Sequence, residues 1–160
     1  MQQKTLLEVV TAPAEEHYVQ HFQALAQVNL EIRQTGPNAT LLLRKSILEM
    51  DIGNYSAALD AARDALDLKP ELPEASYQEG MALMLLAFTR VGVLAGAPGM
   101  AMPIARARRL LEQAADSFAV VAINNPGDEE AVADQEAIVG FLDENEDDGD
   151  LEAALQAMFE

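Results

Sequence analysis

Apolar residues along this chain recur at intervals of three and four, and no window alternates apolar and polar residues at a period of two. That spacing predicts helices and no sheet, because a helix returns to one face about every 3.6 residues. Pro13, followed by Glu15 and Glu16, opens a helix over 14–34, since proline suits a first turn and carboxylates suit a helix N-terminus. Tyr18, Phe22, Leu25 and Ile32 form its apolar stripe. Thr35-Gly36-Pro37 stops it, and Asn38 caps a second helix reaching about Ile52. Gly53-Asn54 turns the chain into a third helix over 55–68, which Lys69-Pro70 ends. Pro73 starts a fourth, to about residue 94, and Pro103 starts a fifth, ending near Asn125. Asp128, with Glu129 and Glu130 behind it, caps a sixth that ends near Leu142. "DENEDDGD" reads as an acidic linker, and Asp150 caps a short last helix over 151–159. The organisation is a helical domain over 1–142, a linker over 143–150 and an amphipathic C-terminal helix over 151–160.

Composition narrows the function classes. Half of the 160 residues are hydrophobic, so the chain can build a core. It has no Cys, which excludes disulfides, thiolate metal sites and Cys nucleophiles and fits a reducing compartment. The N-terminus lacks the charged start and apolar run of a secretory signal, so the expected location is the cytoplasm. The triplets at Asn38 and Asn54 then read as chance glycosylation matches. Residues 81–104 are the one membrane suspect, but Arg90 and several Gly and Pro residues interrupt them, so no membrane span is expected. Residues 126–160 hold 13 of the 27 acidic groups and none of the 10 Lys and Arg, so the first 125 residues carry only −4 of the net −17. A nucleic-acid partner needs a basic stripe, and Arg106, Arg108 and Arg109 read as a solvated helix face, so no nucleic acid is expected.

The stretch "GNYSAALDAARDALDLKP" has a more specific pattern. Pro37 and Pro70 lie 33 residues apart, close to the length of a tetratricopeptide repeat, about 34 residues. Residues 39–72 resemble that repeat. Leu42 takes the large apolar place of its first helix and Ser46 the small one. Gly53 and Tyr55 stand at the turn, Ala58, Ala62 and Ala65 take the small places of the second helix, and Pro70 is the terminal proline. Lys45 and Ala62 depart from the usual residues. A second unit resembles it over 74–126, with Tyr77, Gly80, Ala114, Phe118, Val121 and Pro126 in the matching places. Pro70 to Pro126 spans 56 residues, so each helix of this second pair is about 11 residues longer and projects roughly 16 Å. Its tip is apolar, and the 14–34 helix is expected to cover it. The 128–142 helix resembles the polar helix that caps such arrays. The fold class implied is all-α: tetratricopeptide-like antiparallel hairpins, one regular and one elongated, with flanking N-terminal and capping C-terminal helices.

Candidate chemistry is sparse. His17 and His21 lie four apart, as a zinc-binding pair would, but no third ligand is marked. "ENEDDGDLE" has Gly149 and Leu151 at calcium-loop places, but it lacks the opening Asp and has Leu155 where the closing Glu belongs. There is no phosphate loop and no Ser-His-Asp set, so the chain is read as non-enzymatic, with no cofactor.

What remains is surface. By place in the repeat, the resemblance puts Leu43, Arg44, Ile47 and Met50 from the first unit, and Tyr77, Met81 and Met84 from the second, along a concave groove. Family members that grip acidic tails use Lys and Asn there, and this chain has apolar residues instead. A Met-rich groove suits an apolar helix of a protein or peptide. The C-terminal helix could itself sit there as a lid through Leu151, Leu155, Met158 and Phe159. The expected function is an adaptor or assembly scaffold. The alternatives are a small metal- or ligand-binding helical protein using His17/His21 or the acidic loop, and a structural protein that self-assembles as a homo-oligomer through residues 91–104.

Overall fold

The computed structural model describes the backbone of residues 6–94 and 103–157, and the side chains of 19–88 and 103–157. Its helices are α1 (Leu6–Thr35), α2 (Ala39–Asp51), α3 (Tyr55–Leu68), α4 (Pro73–Leu94), α5 (Ile104–Asn124), α6 (Glu129–Glu144) and α7 (Asp148–Ala157). No strand occurs among the described residues, so the chain is all-α.

The punctuation acts through backbone hydrogen bonds. The Asn38 side chain accepts from the Leu41 N–H at 2.9 Å and caps α2, and Asp128 accepts from the Ala131 N–H at 3.0 Å to cap α6. Gly53, at φ +82°, reverses the chain after α2, and the Asn54 N–H returns to the Glu49 carbonyl at 2.9 Å. Two boundaries differ from expectation. First, α1 begins at Leu6, so Pro13 lies inside the helix rather than at its first turn. Second, the acidic segment is helical at both ends: α6 runs on to Glu144 and α7 starts at Asp148, leaving only residues 145–147 between them. Asp147, not Asp150, holds the start of α7, its Oδ1 accepting from the N–H of Gly149 at 2.7 Å and of Asp150 at 3.3 Å. One carboxylate satisfying two orphan donors stabilises an earlier start than apolar periodicity indicates.

Consecutive helices pack on one another from α1 through α6. Short connections enforce this between α1 and α2 and between α2 and α3. Ser46 is buried between α2 and α3, where only a small side chain fits, and its Oγ donates to the Ala58 carbonyl at 2.7 Å. On α4 and α5, Tyr77 and Gly80 meet Phe118, while Leu86 lines one pocket with Arg106 and Leu110, so rising numbers on one helix meet falling numbers on the other. The pair is antiparallel. A Cβ at Gly80 would lie 3.0 Å from the Phe118 ring, so glycine is what lets the ring approach the α4 backbone.

Helix α4 is the hub. It packs against α2, α3, α5 and α7, and Tyr77 reaches α6. Its sequence is apolar nearly all round, as a helix surrounded by neighbours requires. The main core gathers Ala82, Leu83 and Ala87 from α4 with Ala107, Leu111, Ala114 and Phe118 from α5, and is closed by Ile138, Leu151 and Leu155.

The apolar stripe of α1 differs from expectation at Phe22. Leu25, Val28 and Ile32 of α1 pack against Leu48 and Ile52 at the α2 end, and Phe22 is exposed. The three residues between α1 and α2 hold α1 against its own neighbour. Helix α7 lies on α4 and α5. The hairpin tip at 95–102 that α1 is expected to cover falls outside the described residues, as does Tyr18's side chain.

Candidate interaction surface

The predicted groove residues fall into two groups. On α2, Ile47 is 40% exposed, Arg44 is exposed, and Leu43 and Met50 are half-buried beside them. Helices α2 and α4 touch, so this strip borders the hub. On α4, Tyr77, Met81 and Met84 are half-buried and pack against the main core. Their spacing of four and three puts them on one face of α4. Only Arg44 and Ile47 of the seven are therefore open, since Leu43 and Met50 pack against buried clusters as the α4 residues do.

Tyr77 carries the most distinctive chemistry of the set. Its ring meets Phe118 edge-on, with centroids 5.5 Å apart, and its hydroxyl faces Glu130 Oε1 at 3.2 Å and Asp134 Oδ2 at 3.4 Å. Burial, then the Asp134 charge, push the phenol up to about 12. Burial, then the Glu130 charge, raise the Asp134 carboxyl, with the Tyr77 hydrogen bond opposing.

Two pH effects follow. The folded chain holds the Tyr77 proton more tightly than the unfolded chain. Its contribution is full below the ordinary value of 10.0 and is lost as pH rises through about 12. Melting temperature is expected to fall more steeply between those values in the wild type than in Tyr77→Phe. Asp134 is raised as well, so its charged form costs stability at neutral pH. Asp134→Asn is expected to melt at or above the wild type at pH 7, the gap closing as pH falls towards the ordinary value of 3.8.

Of the predicted lid, Leu151 and Leu155 are fully buried in the main core, and Met158 and Phe159 lie outside the described residues. The corner leading into α7 is held by a residue that the sequence reading assigned to a solvated face. Arg108, with its side chain 19% exposed, donates from Nε to Asp148 Oδ1 at 2.9 Å. Its Nη2 donates to the carbonyls of Asn145 at 2.8 Å and Glu146 at 3.0 Å. One guanidinium thus joins the end of α6 to the start of α7, while Arg109 on the same turn is exposed. Arg108→Met keeps much of the apolar stem and loses the three hydrogen bonds. It is expected to cost about 2 kcal/mol. Hydrogen exchange is expected to rise over 145–157 before the rest of the chain responds.

A polar chain also ties three helices together. Arg63 Nε on α3 donates to Glu79 Oε2 on α4 at 3.2 Å, and Ser117 Oγ on α5 donates to Glu79 Oε1 at 2.7 Å. The signal available for it was Glu79 itself, the lone acid within the apolar run of α4.

Of the metal candidates, His21 and the acidic loop are described and are engaged elsewhere. His21 Nε2 lies 3.7 Å from Asp51 Oδ2, linking α1 to α2, and the His17 side chain lies outside the described residues. In the acidic loop, Asp147 is used as a helix cap and Asp148 as the partner of Arg108. Among the described residues, no three His or carboxylate side chains are grouped to hold a metal ion, and no helix is long and apolar enough to cross a membrane.

No protein-family model matches the chain, and no curated protein matches it. The functional reading therefore rests on the exposed surface and the packing beneath it.

Proposed function

We propose that this chain is a tetratricopeptide-like adaptor, non-enzymatic, that receives an apolar helix of a partner protein along α2 and α4. Support for the repeat reading comes from the order of packing. Each of α2 to α5 lies on the next, α2 also reaches α4, and the small residues Ser46, Ala58 and Gly80 sit at the closest helix contacts. The observation that carries the binding reading is Ile47. It is 40% exposed beside Leu43 and Met50, which are half-buried against the core, so the open apolar surface of α2 centres on this one side chain.

Helix α7 is the proposed gate. It occupies the α4–α5 side with two buried leucines and is tethered to α6 by residues 145–147 alone. A partner helix with similar leucine spacing can exchange with it, extending the contact from α2 onto α4.

The test is affinity capture from the native cell with three chains: wild type, Ile47→Glu and a form ending at residue 142. Ile47 is exposed enough that the glutamate leaves folding intact, which circular dichroism checks. The expected result is a partner held by the wild type, lost with Ile47→Glu and held more strongly by the shortened chain. An identical set of captured proteins from wild type and Ile47→Glu sinks the reading.

A further inference from the structure

Helix α1 carries two apolar stripes, and α2 uses one of them. Leu25, Val28 and Ile32 face inward. Val19, Phe22 and Leu30, on another side of the helix, are 57%, 55% and 43% exposed, and Ala26 between them is exposed too. Spacings of three, four and four put these residues on one strip of the helix.

This strip carries no formal charge, a property it shares with the smaller apolar surface of Val120 and Ile123 on α5, where residues 117–127 also have none. Residues 19–30, "VQHFQALAQVNL", contain no Asp, Glu, Lys or Arg in a chain of net charge −17. The other exposed large apolar residues include Leu68, which adjoins Asp67, and Val139, which lies between Glu136 and Asp143. Ile47 lies between Arg44 and Asp51, and Val120 lies one turn from Asp116. Two copies of so acidic a chain repel wherever carboxylates meet, and the α1 strip, with four exposed apolar residues in line, is a place where they can touch without that cost.

The strip also matches itself. Run antiparallel about a two-fold axis near residues 24 and 25, Val19 comes opposite Leu30 of a second copy, and Phe22 comes beside the small Ala26. Gln20, Gln23 and Gln27 flank the line, and amides both donate and accept, so they can pair with their own kind. A two-fold contact uses the same patch twice, which requires this self-complementarity.

We propose that α1 is a homodimer interface in which two copies pair antiparallel through Val19, Phe22, Ala26 and Leu30. This pairing is independent of the α2 groove reading and leaves Ile47 free on both copies. A dimer would therefore present two grooves, and a partner with two apolar helices would gain avidity.

Sedimentation of the full chain across a hundredfold concentration range tests the proposal, together with Phe22→Glu and, as a control of equal charge, Val139→Glu. The expected result is dimer for the wild type and Val139→Glu, and monomer for Phe22→Glu with an unchanged helical spectrum. A wild type that stays monomeric, or a dimer unmoved by Phe22→Glu, overturns it. Register is read with single cysteines, since the chain has none of its own. An equimolar mixture of Val19→Cys and Leu30→Cys is expected to oxidise to a mixed disulfide dimer. Val19→Cys alone is not, because antiparallel pairing separates the two copies of residue 19 by about 16 Å. Efficient linking of Val19→Cys to itself overturns the antiparallel arrangement.

Discussion

Phe118→Ala is expected to lower the unfolding free energy by about 4 kcal/mol, the largest effect of any single truncation in this chain. Phe118 is fully buried where α4 and α5 meet, against Gly80 and edge-on to Tyr77. Alanine removes the ring and leaves a cavity that cannot collapse easily, because Gly80 has no side chain to move into it. The Tyr77 ring would also lose its edge-on contact, and such pairs contribute about 1 kcal/mol beyond area burial. Denaturant unfolding of the variant beside the wild type measures the difference. Ile123→Ala, five residues along the same helix and mostly exposed, is the matched control and is expected to change little. A loss below about 1 kcal/mol for Phe118→Ala would falsify the placement of this ring at the centre of the core.

The second large effect is Leu155→Asp. Leu155 is fully buried beside Leu151 in the main core. A carboxylate there is unsustainable without a partner, with a local penalty of about 4 kcal/mol or more. The chain has a way to avoid that penalty. Only residues 145–147 join α7 to α6, so α7 can leave its seat as a unit while α1 to α6 stay packed. The expected outcome is therefore selective. Residues 145–157 become sensitive to protease, dye binding increases as Ala82, Leu83 and Ala87 lose their cover, and most helical signal remains. If the whole chain instead unfolds in one step with its melting temperature collapsed, α7 is part of the core and the gate reading fails. Arg108→Met probes the same seat from the corner without touching the leucines, so the two variants together separate tether from packing.

Much of this architecture is legible in the amino-acid order. The α4 boundaries at Pro73 and residue 94, the caps at Asn38 and Asp128 and the turn at Gly53 all follow from local rules. So does the helical nature of every element, because period and capping act within one turn of chain.

Other features were not legible, for a common reason. The α1 pattern supports either of two stripes, and its periodicity does not say which one meets α2 and which stays open. Acidic residues 143–150 look alike in sequence, yet Asp147 caps α7 and Asp148 pairs with Arg108. Arg108 is one of three similar arginines, distinguished by carbonyls nearly forty positions away. Tyr77 takes its raised pKa first from burial and then from Asp134 and Glu130 on α6, more than fifty positions on.

By itself, then, the sequence determined that this chain is helical, where its helices turn and which residues are small enough for close approach. Those are properties of short stretches, set by backbone geometry and side-chain size. Only the tertiary structure decided that α4 is the hub, that α7 lies on the α4–α5 pair, and that Arg108 holds the α6–α7 corner. Each of those depends on which of several equally apolar or equally charged faces meets which neighbour, and that choice is made by packing the whole set of helices at once.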